Sequence, residues 1–404
     1  MGCSYVQLND VIKDIAAGPF GSNLKVSCFT STGFPVIDGA NLKGFKVSDN
    51  LTKFVTEDKA LSLSRSIAKR GDVVVTISGT LGQIAYVPED SAYKEYLCSQ
   101  RQFRVSFDTS RVYVPYLVFY FHTRQGQAQI LSFANQTGVP ALSQPTKNFR
   151  KLYIPLPSIQ RQRQIAHVIE TINSAIELND RTNDYLAELL EVQYCYALRQ
   201  GTERRLLVDV VNVLSGGTPS TKVSDYWENG TIPFFTPGDA TNSVYTLVTE
   251  KHITEVGLSN CNSALYPEET VFLSARGTVG KVAMAGVPMA MNQSCFAFSG
   301  IDVPQTIVFQ VIKRAVYSLK AKAIGAVFSA INTRDLKLEE VEIPAVSAMT
   351  NFNAVATPIH KLIRKNEEEN IRLASLRDAL LPQLMSGEVD VSKVDFTQQN
   401  NHLV

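Results

Sequence analysis

The stretch of sequence that decides the fold is Ile154–Gly201, which reads IPLPSIQRQRQIAHVIETINSAIELNDRTNDYLAELLEVQYCYALRQG. Pro155 and Pro157 exclude a helix that continues from upstream, and Ser158 is a residue type that caps a helix start. Roughly 40 residues without proline or glycine follow, which as one helix would measure about 60 Å. Gly201 suits a helix terminator. The stretch therefore predicts a helix far longer than those of most globular proteins.

Apolar residues recur along this predicted helix at intervals of three and four, which is the spacing of a coiled-coil seam. The seam residues are Ile165, Val168, Ile172, Ile176, Leu186, Leu189 and Ala197, with Asn179, Asn183 and Gln193 in the polar gaps. A seam of this length needs a partner helix to cover it.

A second stretch, Ile343–Gly387, supplies that partner. Its seam runs through Val355, Ile359, Ile363, Asn366, Asn370, Leu373, Leu376, Leu380 and Leu384. Under one constant shift, Ile172, Ile176, Asn179, Asn183, Leu186 and Leu189 correspond in order to Ile359, Ile363, Asn366, Asn370, Leu373 and Leu376. Asparagines inside a seam lower stability but fix register, so their recurrence favours a specified pairing over two unrelated amphipathic helices. Because Pro358 interrupts the second pattern, we expect that helix to begin near Thr357 or to kink there.

The remaining sequence is an internal repeat, in which residues 1–153 and 202–342 carry similar motifs in the same order. TIPFFTPGDAT parallels FPVIDGANLKG, and ETVFLSARGTVGKVAMA parallels GDVVVTISGTLGQIAYV, which predicts a β-hairpin. Gly277, Thr278, Gly280, Asp209 and Gly217 take the places of Gly79, Thr80, Gly82, Asp10 and Gly18. The secondary structure of two segments stays open. VQLNDVIKDIAAG is a strand or a short helix, and VPYLVFYFHTRQGQAQIL is helical or a buried strand.

Each half is thus predicted to be a globular domain followed by a long helix. The helices should pack antiparallel, because a parallel pair would need a return crossing between Gly201 and Leu206, which is too short. The expected fold class is α+β, with two globular mixed α/β domains separated by an antiparallel pair of long coiled-coil helices in a pseudo-twofold repeat. We place the globular domains at 1–157 and 202–346, the long helices at 158–201 and 347–390, and a tail at 391–404.

The composition limits the class of protein. A chain of 404 residues is too long for one typical core, and its six cysteines are scattered without paired spacing, which favours the reducing cytoplasm. The sequence has no apolar run of the ~20 residues that a membrane span needs and no signal-peptide pattern at its start. With a net charge of +1, a DNA-binding surface would have to be local or shared with another subunit.

Catalytic motifs are missing. ARGTVGKV resembles half of a phosphate-binding loop, but Ala275 and Val282 occupy the positions of the first glycine and of the Ser/Thr. The five histidines show no metal-ligand spacing. Glu57-Asp58-Lys59, with Asp38 upstream, could be read as a nuclease motif, although a solvated charged turn is the better interpretation. We therefore expect no catalytic residue, metal site or bound cofactor.

Polar residues in glycine-flanked loops occur at equivalent places in both halves. Such side chains read base edges and hold phosphates. The predicted DNA-binding residues are Ser22, Asn23, Lys25, Gln100, Arg101, Ser143 and Gln144 in the first half and Thr218, Ser220, Lys222, Arg276, Lys281, Asn292 and Gln293 in the second. Each of them alone fits a solvated loop or a turn-capping side chain. Their paired occurrence is what favours DNA binding.

The chain resembles the specificity subunit of type I restriction-modification enzymes. The resemblance is carried by IPLPSIQRQRQIA, the turns GPFGSNLK and TIPFFTPGD, the segment LRDALLPQLMSGEV and the domain–helix–domain–helix order. It implies that each globular unit is a target recognition domain that reads one half of a bipartite DNA site. It also implies that the helix pair sets the gap between the halves and docks two methyltransferase (M) subunits, with restriction (R) subunits added for cleavage.

On this interpretation the chain is a non-catalytic recognition subunit in the cytoplasm that binds double-stranded DNA. The resemblance implies that S-adenosylmethionine, ATP and Mg are bound by partner subunits, and base flipping likewise assigns the methylation chemistry elsewhere. The alternative is a coiled-coil scaffold or interaction protein without sequence-specific DNA binding, which would show no salt-dependent affinity for duplex DNA. A cryptic nuclease or methyltransferase, the third hypothesis, would require S-adenosylmethionine binding by the isolated chain.

Overall fold

The computed structural model describes residues 4–135, 139–322 and 330–391. The chain divides into two compact units. Unit 1 comprises residues 1–173 and 374–404, and unit 2 comprises residues 174–373. Both long helices are divided between these units, so each unit contains a globular part and a piece of the helix pair.

Unit 1 holds twelve short strands among its described residues: β1 Tyr5–Gln7, β2 Ile12–Ala17, β3 Phe34–Ile37, β4 Phe54–Val55, β5 Ile67–Lys69, β6 Val73–Thr76, β7 Ile84–Tyr86, β8 Glu95–Cys98, β9 Gln102–Phe107, β10 Ala134–Asn135, β11 Ala141–Leu142 and β12 Tyr153–Pro155. Its helices are α1 Glu57–Leu61, α2 Val114–His122, α3 Arg124–Leu131, α4 Pro145–Phe149 and the start of α5 Ile159–Arg199. Two four-stranded sheets, ordered β2-β9-β6-β7 and β4-β3-β8-β5, form its centre, and β1 pairs with β12.

Unit 2 repeats this plan with β13 Thr202–Leu206, β14 Val211–Ser215, β15 Ile232–Phe235, β16 Tyr245–Thr246, β17 Lys251–Ile253, β18 Val271–Ser274, β19 Val282–Ala285, β20 Ala290–Met291, β21 Cys295–Gly300 and β22 Glu340–Pro344. Its helices are α6 Leu207–Val210, α7 Glu255–Ser259, α8 Gln305–Lys322, α9 Thr333–Leu338 and most of α10 Val346–Ser386. The sheets are ordered β14-β21-β18-β19-β16 and β17-β15-β20, and β13 pairs with β22.

The central strand of each unit is buried on both faces, because side chains alternate across a strand. In β6, Val73 and Val75 pack into a core that includes α2, whereas Val74 packs against the second sheet. In β18, Leu273 joins a core that includes α8, and Phe272 faces the second sheet. Each globular part is therefore a helix layer on two sheets.

The predicted hairpin is present in both units. Strands β6 and β7 pair antiparallel, as do β18 and β19. Each turn has two left-handed glycines at equivalent positions, with φ of 94° and 86° at Gly79 and Gly82 and of 76° and 81° at Gly277 and Gly280. A residue with a Cβ rarely adopts this conformation.

The two ambiguous segments are settled. VQLNDVIKDIAAG contains strand β1, one helical turn at Leu8–Asp10 and strand β2. The aromatic-rich segment is helical, as α2 and α3, and the side chains of α2 from Tyr116 to Phe121 are all buried. A helix buried on every side shows no amphipathic period, which explains why its sequence left two interpretations.

One repeat correspondence was wrong by a residue. Ala17 pairs with Phe103 and Ser215 with Phe296, so the counterpart of Gly18 is Gly216 rather than Gly217. The cause is a register shift between Ile12 and Asp14, where β2 contains one residue more than β14.

The two long helices each contain 41 residues. Within unit 2 they run antiparallel, because Asn179 donates to Asn370 at 3.0 Å and Asn366 donates to Asn183 at 2.8 Å. The predicted fold class is confirmed by these helices and the two mixed α/β domains.

Two expectations about the helices were wrong. Helix α10 begins at Val346 rather than near Thr357, because the preceding Phe352 and Ala356 are buried in the core of unit 2, while the alternative of a kink at Pro358 stays a prediction. Leu189 and Leu376 do not join the buried seam, being 42% and 48% exposed. Leu190, one residue along from Leu189, is fully buried instead, because it packs into the core of unit 2.

Candidate nucleic-acid interface

Unit 1 contains a cleft of about 560 Å³ beside its hairpin turn, which we call the Lys53 cleft. Its lining comprises Leu24, Val26, Phe29, Asp38, Gly39, Ala40, Lys53, Thr76, Ser78, Gly79, Thr80, Gln83 and Ser99–Gln102. The predicted DNA-binding residues Gln100 and Arg101 lie in this lining, on the turn between β8 and β9. Both side chains are exposed, and among the described residues none is hydrogen-bonded to the Arg101 guanidinium.

A second cleft of about 500 Å³ shares Gln100 with the first, and we call it the Gln144 cleft. It is lined by Ala17–Gly21, Ile77, Gln100 and Gln144–Lys147. Gln144 has a left-handed backbone with φ of 42°, which turns the chain into helix α4. The structure thus brings Gln100, Arg101 and Gln144 together around two adjoining clefts.

The other predicted residues of unit 1 are placed differently. Ser22, Asn23 and Lys25 are exposed on the loop between the two clefts but line neither. Ser143 is half-buried, and its carbonyl accepts a hydrogen bond of 2.7 Å from Asn148. This hydrogen bond stabilises the local turn, so Ser143 has the role of a turn residue.

The floor of the Lys53 cleft is a polar network that the sequence did not reveal. The Thr76 hydroxyl donates to Gln83 at 2.9 Å, and Gln83 donates to the carbonyl of Gly39 at 3.0 Å. At the rim, Lys53 pairs with Asp38 at 2.6 Å. Asp38 and Lys53 are far from Thr76 and Gln83 in the sequence, so no local motif joins these side chains. In the suspected nuclease motif, Glu57 and Asp58 are exposed in the first turn of α1.

In unit 2 the predicted residues fall into two groups. Thr218 donates to Gln293, and Lys281 donates to Asn242, which keeps these polar groups together near the β18–β19 hairpin. Arg276, in the hairpin turn, is exposed.

The remaining members mainly stabilise turns. Asn292 accepts from the backbone N–H of Ser294 at 3.0 Å, and Ser220 contacts the backbone N–H of Lys222 at 3.4 Å and Trp227 at 3.1 Å. A cleft of about 320 Å³ in this unit, lined by Arg204, Val311, Arg314, Ala315, Ser318, Lys322 and Glu339–Glu342, contains none of the predicted residues.

A buried polar cluster joins helix α10 to strand β16. The Tyr245 hydroxyl lies 3.3 Å from Nδ1 of His360, and the Tyr245 N–H donates to Glu367 at 3.4 Å. Burial raises the pKa of Glu367 to about 7 and lowers the pKa of His360 to about 4. One carboxylate oxygen of Glu367 and Nε2 of His360 have no hydrogen-bond partner among the described residues. Both groups are therefore held where their charged forms are unfavourable.

Helix α5 carries a second, exposed apolar stripe within unit 2, which we call the α5 stripe. It consists of Leu178, Tyr185, Leu189, Val192 and Tyr196, all more than two-fifths exposed. The intervals of seven, four, three and four residues follow the same heptad period as the buried seam. The corresponding positions of α10 are Lys365, Arg372, Leu376, Ala379 and Gln383, so only one of the two helices has an aromatic stripe.

Two further features are absent from the described part of the chain. No group of three or more His, Cys, Asp or Glu side chains there could hold a metal ion. None of its helices has the length and apolarity that crossing a membrane requires.

Comparison with known proteins identifies the family. Residues 7–188 and 200–373 each match the type I restriction modification DNA specificity domain. Because the two matches cover well over half of the chain, the protein belongs to this family and carries its domain twice. The chain is thus a specificity subunit of the type I restriction-modification class, as its sequence predicted.

Relatives of the chain agree with this assignment. It is 23% identical over 419 residues to the MjaIX specificity subunit of Methanocaldococcus jannaschii, covering 95% of this chain and 93% of that protein. It is 25% identical over 221 residues to the HindI specificity subunit of Haemophilus influenzae, covering 53% and 48%. The crystal structure of a type I restriction-modification S subunit from M. genitalium matches with a TM-score of 0.53 at 14% identity, covering 95% and 96%, and supports the fold.

Proposed function

We propose that each globular domain reads one half of a bipartite DNA site. The observation that carries this proposal is the twin arrangement of exposed polar side chains beside equivalent hairpin turns. In unit 1, Gln100 and Arg101 adjoin the Gly79–Gly82 turn. In unit 2, Arg276 lies in the Gly277–Gly280 turn, with Thr218 and Gln293 joined beside it. Arginine and glutamine side chains of this kind read guanine and adenine edges in the major groove.

The helix pair would set the spacing between the half-sites and dock the M subunits. One buried and one half-buried asparagine pair fix the register of the two helices, so that the length of the helices would set the spacing. The α5 stripe supports docking, because a heptad-spaced apolar row on a helix is a surface that a partner helix covers. R subunits would join through the M subunits.

Base chemistry would belong to the partner subunits. Methyl transfer requires a base that has left the stack and a pocket that receives it, and the candidate contact side chains here lie on exposed loops and turns. S-adenosylmethionine, ATP and Mg are accordingly assigned to the partners, and the chain itself is proposed to be non-catalytic. The rival hypothesis of a scaffold without DNA binding is disfavoured by the family of the chain, whose domain is a DNA specificity domain.

The test is to co-express the chain with its M subunit and to map methylated adenines in the host DNA. The expected result is a two-part motif with a fixed gap. Arg101→Ala should relax or abolish one half and Arg276→Ala the other, with a loss of about 1–3 kcal/mol of discrimination per lost base contact.

Lys94→Ala is the matched control, since Lys94 is exposed and precedes β8, whereas Arg101 lies in the turn that follows that strand. It should leave both halves of the motif intact. An assembled, folded complex that methylates no bipartite motif would overturn the proposal.

A further inference from the structure

Phe20 is the most exposed aromatic side chain in the described ranges, at 84%. It lies at the mouth of the Gln144 cleft, on the loop GPFG, and contributes nothing to the core of unit 1. A single exposed phenylalanine is unremarkable by itself. The packing of the backbone on either side of Phe20 is the feature that points to a ligand.

The loop that carries Phe20 is held by backbone contacts at Gly18 and lies against the Gln100 side chain at Gly21. The Gly18 N–H donates to the carbonyl of Gln102 at 2.7 Å, and a Cβ at Gly18 would lie 2.0 Å from the carbonyl oxygen of Ser99. A Cβ at Gly21 would lie 2.8 Å from the side-chain oxygen of Gln100. The ring therefore projects from a backbone that is packed directly against the turn bearing Gln100 and Arg101. Such preorganisation lowers the entropy cost of binding.

The surroundings of the ring match DNA rather than an apolar protein surface. The lining of the Gln144 cleft contains one charged residue, Lys147, and no acidic residue. The neighbouring loop adds Lys25, and the adjacent turn adds Arg101. An apolar side chain surrounded by cations and amides is the combination with which proteins contact phosphates and insert between base pairs.

We infer that Phe20 is an apolar wedge that enters the base stack of the half-site read by unit 1. This inference rests on the proposed function. It also distinguishes the two units, because the residue at the corresponding place in unit 2 is Thr218, whose hydroxyl is hydrogen-bonded to Gln293. Apart from the target base that an M subunit takes out of the stack, only the half-site of unit 1 should therefore be unstacked, at one base step.

The test uses the complex of the full chain with its M subunit, bound to duplexes that carry 2-aminopurine at successive positions of each half-site. The M subunit itself unstacks the target adenines, so the readout is taken at all other positions. At those positions, wild-type complex should raise the fluorescence at one step of the unit 1 half-site only. Phe20→Ala should abolish that rise and weaken specific binding about tenfold or more, while the slope of affinity against salt stays unchanged. Phe20→Leu should retain most of the effect, because leucine also serves as a wedge.

Leu61→Ala is the control, since Leu61 is 65% exposed in unit 1 and lines neither cleft. It should behave as wild type. Specific binding without a fluorescence rise at any position outside the target adenines would overturn the wedge while leaving the proposed function standing. Loss of the M subunit from the Phe20→Ala complex would also overturn it, because the ring would then face a protein. Absence of any site-specific binding by the wild-type complex would instead refute the proposed function.

Discussion

Asn366 donates from Nδ2 to Oδ1 of Asn183 across 2.8 Å, and both side chains are 8% exposed. Asn183→Leu or Asn366→Leu alone should therefore destabilise the protein by roughly 1–3 kcal/mol, because each leaves the other amide buried without its partner. Replacing both asparagines by leucine should recover that loss or exceed it, since a matched apolar pair leaves no polar group unsatisfied. Urea denaturation of the four members of this double-mutant cycle measures the difference.

Asn50→Ala, at an exposed position of unit 1, is the control and should change the free energy of unfolding little. If the double variant lost as much unfolding free energy as the two single variants together, the two amides would not depend on each other.

The Glu367–His360 cluster predicts two opposing pH effects on stability. Glu367 has a folded pKa of about 7, above its ordinary value of 4.5, so its contribution is present at low pH and is lost as the pH rises between these values. His360 has a folded pKa of about 4, below 6.5, so its contribution is lost as the pH falls between these values. Each is on the order of 3 kcal/mol over its full range.

Single variants should separate the two effects. Glu367→Gln should leave a protein whose stability rises with pH between about 4 and 6.5, and His360→Gln one whose stability falls between about 4.5 and 7. Wild type, which has both groups, should be nearly flat across their common range. Urea midpoints measured from pH 4.5 to 7.5 test this, and three parallel curves would contradict it.

Gly18→Ala should damage the first recognition domain, because the new methyl group would lie 2.0 Å from the carbonyl oxygen of Ser99. We expect a loss of about 1–3 kcal/mol in unfolding free energy, typical of overpacking, and weaker binding of one half-site only. Gly44→Ala is the matched control, since no atom lies within 4 Å of its Cβ. Denaturation and binding to duplexes with either half-site scrambled measure both effects. Equal behaviour of the two variants would refute the proposed close approach.

We predict that substitutions in the α5 stripe weaken the complex with the M subunit. Tyr185→Lys should reduce capture of the co-expressed M subunit about 30-fold, as expected for an aromatic anchor worth about 2 kcal/mol. Tyr317→Lys is the control, because Tyr317 is equally aromatic and 78% exposed but lies on α8. Native mass spectrometry of the co-purified complexes gives the stoichiometry. Full occupancy in the Tyr185 variant would exclude the stripe as a docking surface.

Local chemistry explains which parts of the fold were predictable. The hairpin turns depend on left-handed glycines. Gly79 and Gly277 each lie between two runs of β-branched residues, and this pattern predicts the turn from the sequence. The choice between Leu189 and Leu190 depends on what the rest of unit 2 packs against the helix, which no heptad pattern contains. Proline rules misplaced the start of α10 for the same reason, since burial of Phe352 outweighs the lost hydrogen bond at Pro358.

The candidate site likewise contains residues that the sequence predicts and residues that it does not. Gln100 could be proposed because Gln293 takes the same place in the parallel segment NQSCFAF, and Arg101 is its neighbour. Lys53 and Gln83 could not, because the Lys53 cleft is lined by segments that are far apart in the sequence. The signal for Phe20 was present in the sequence, as an aromatic residue between glycines, but only its exposure separates it from a core residue.

The ends of each globular part are neighbours. Thr202 pairs with Pro344 as β13 meets β22, and Tyr5 pairs with Pro155 as β1 meets β12. A domain whose entry and exit lie side by side can be inserted or replaced without changing the path of the chain on either side. Each recognition domain is therefore an exchangeable cassette, and recombination at these two strand pairs would change what is read while the helices remain as they are.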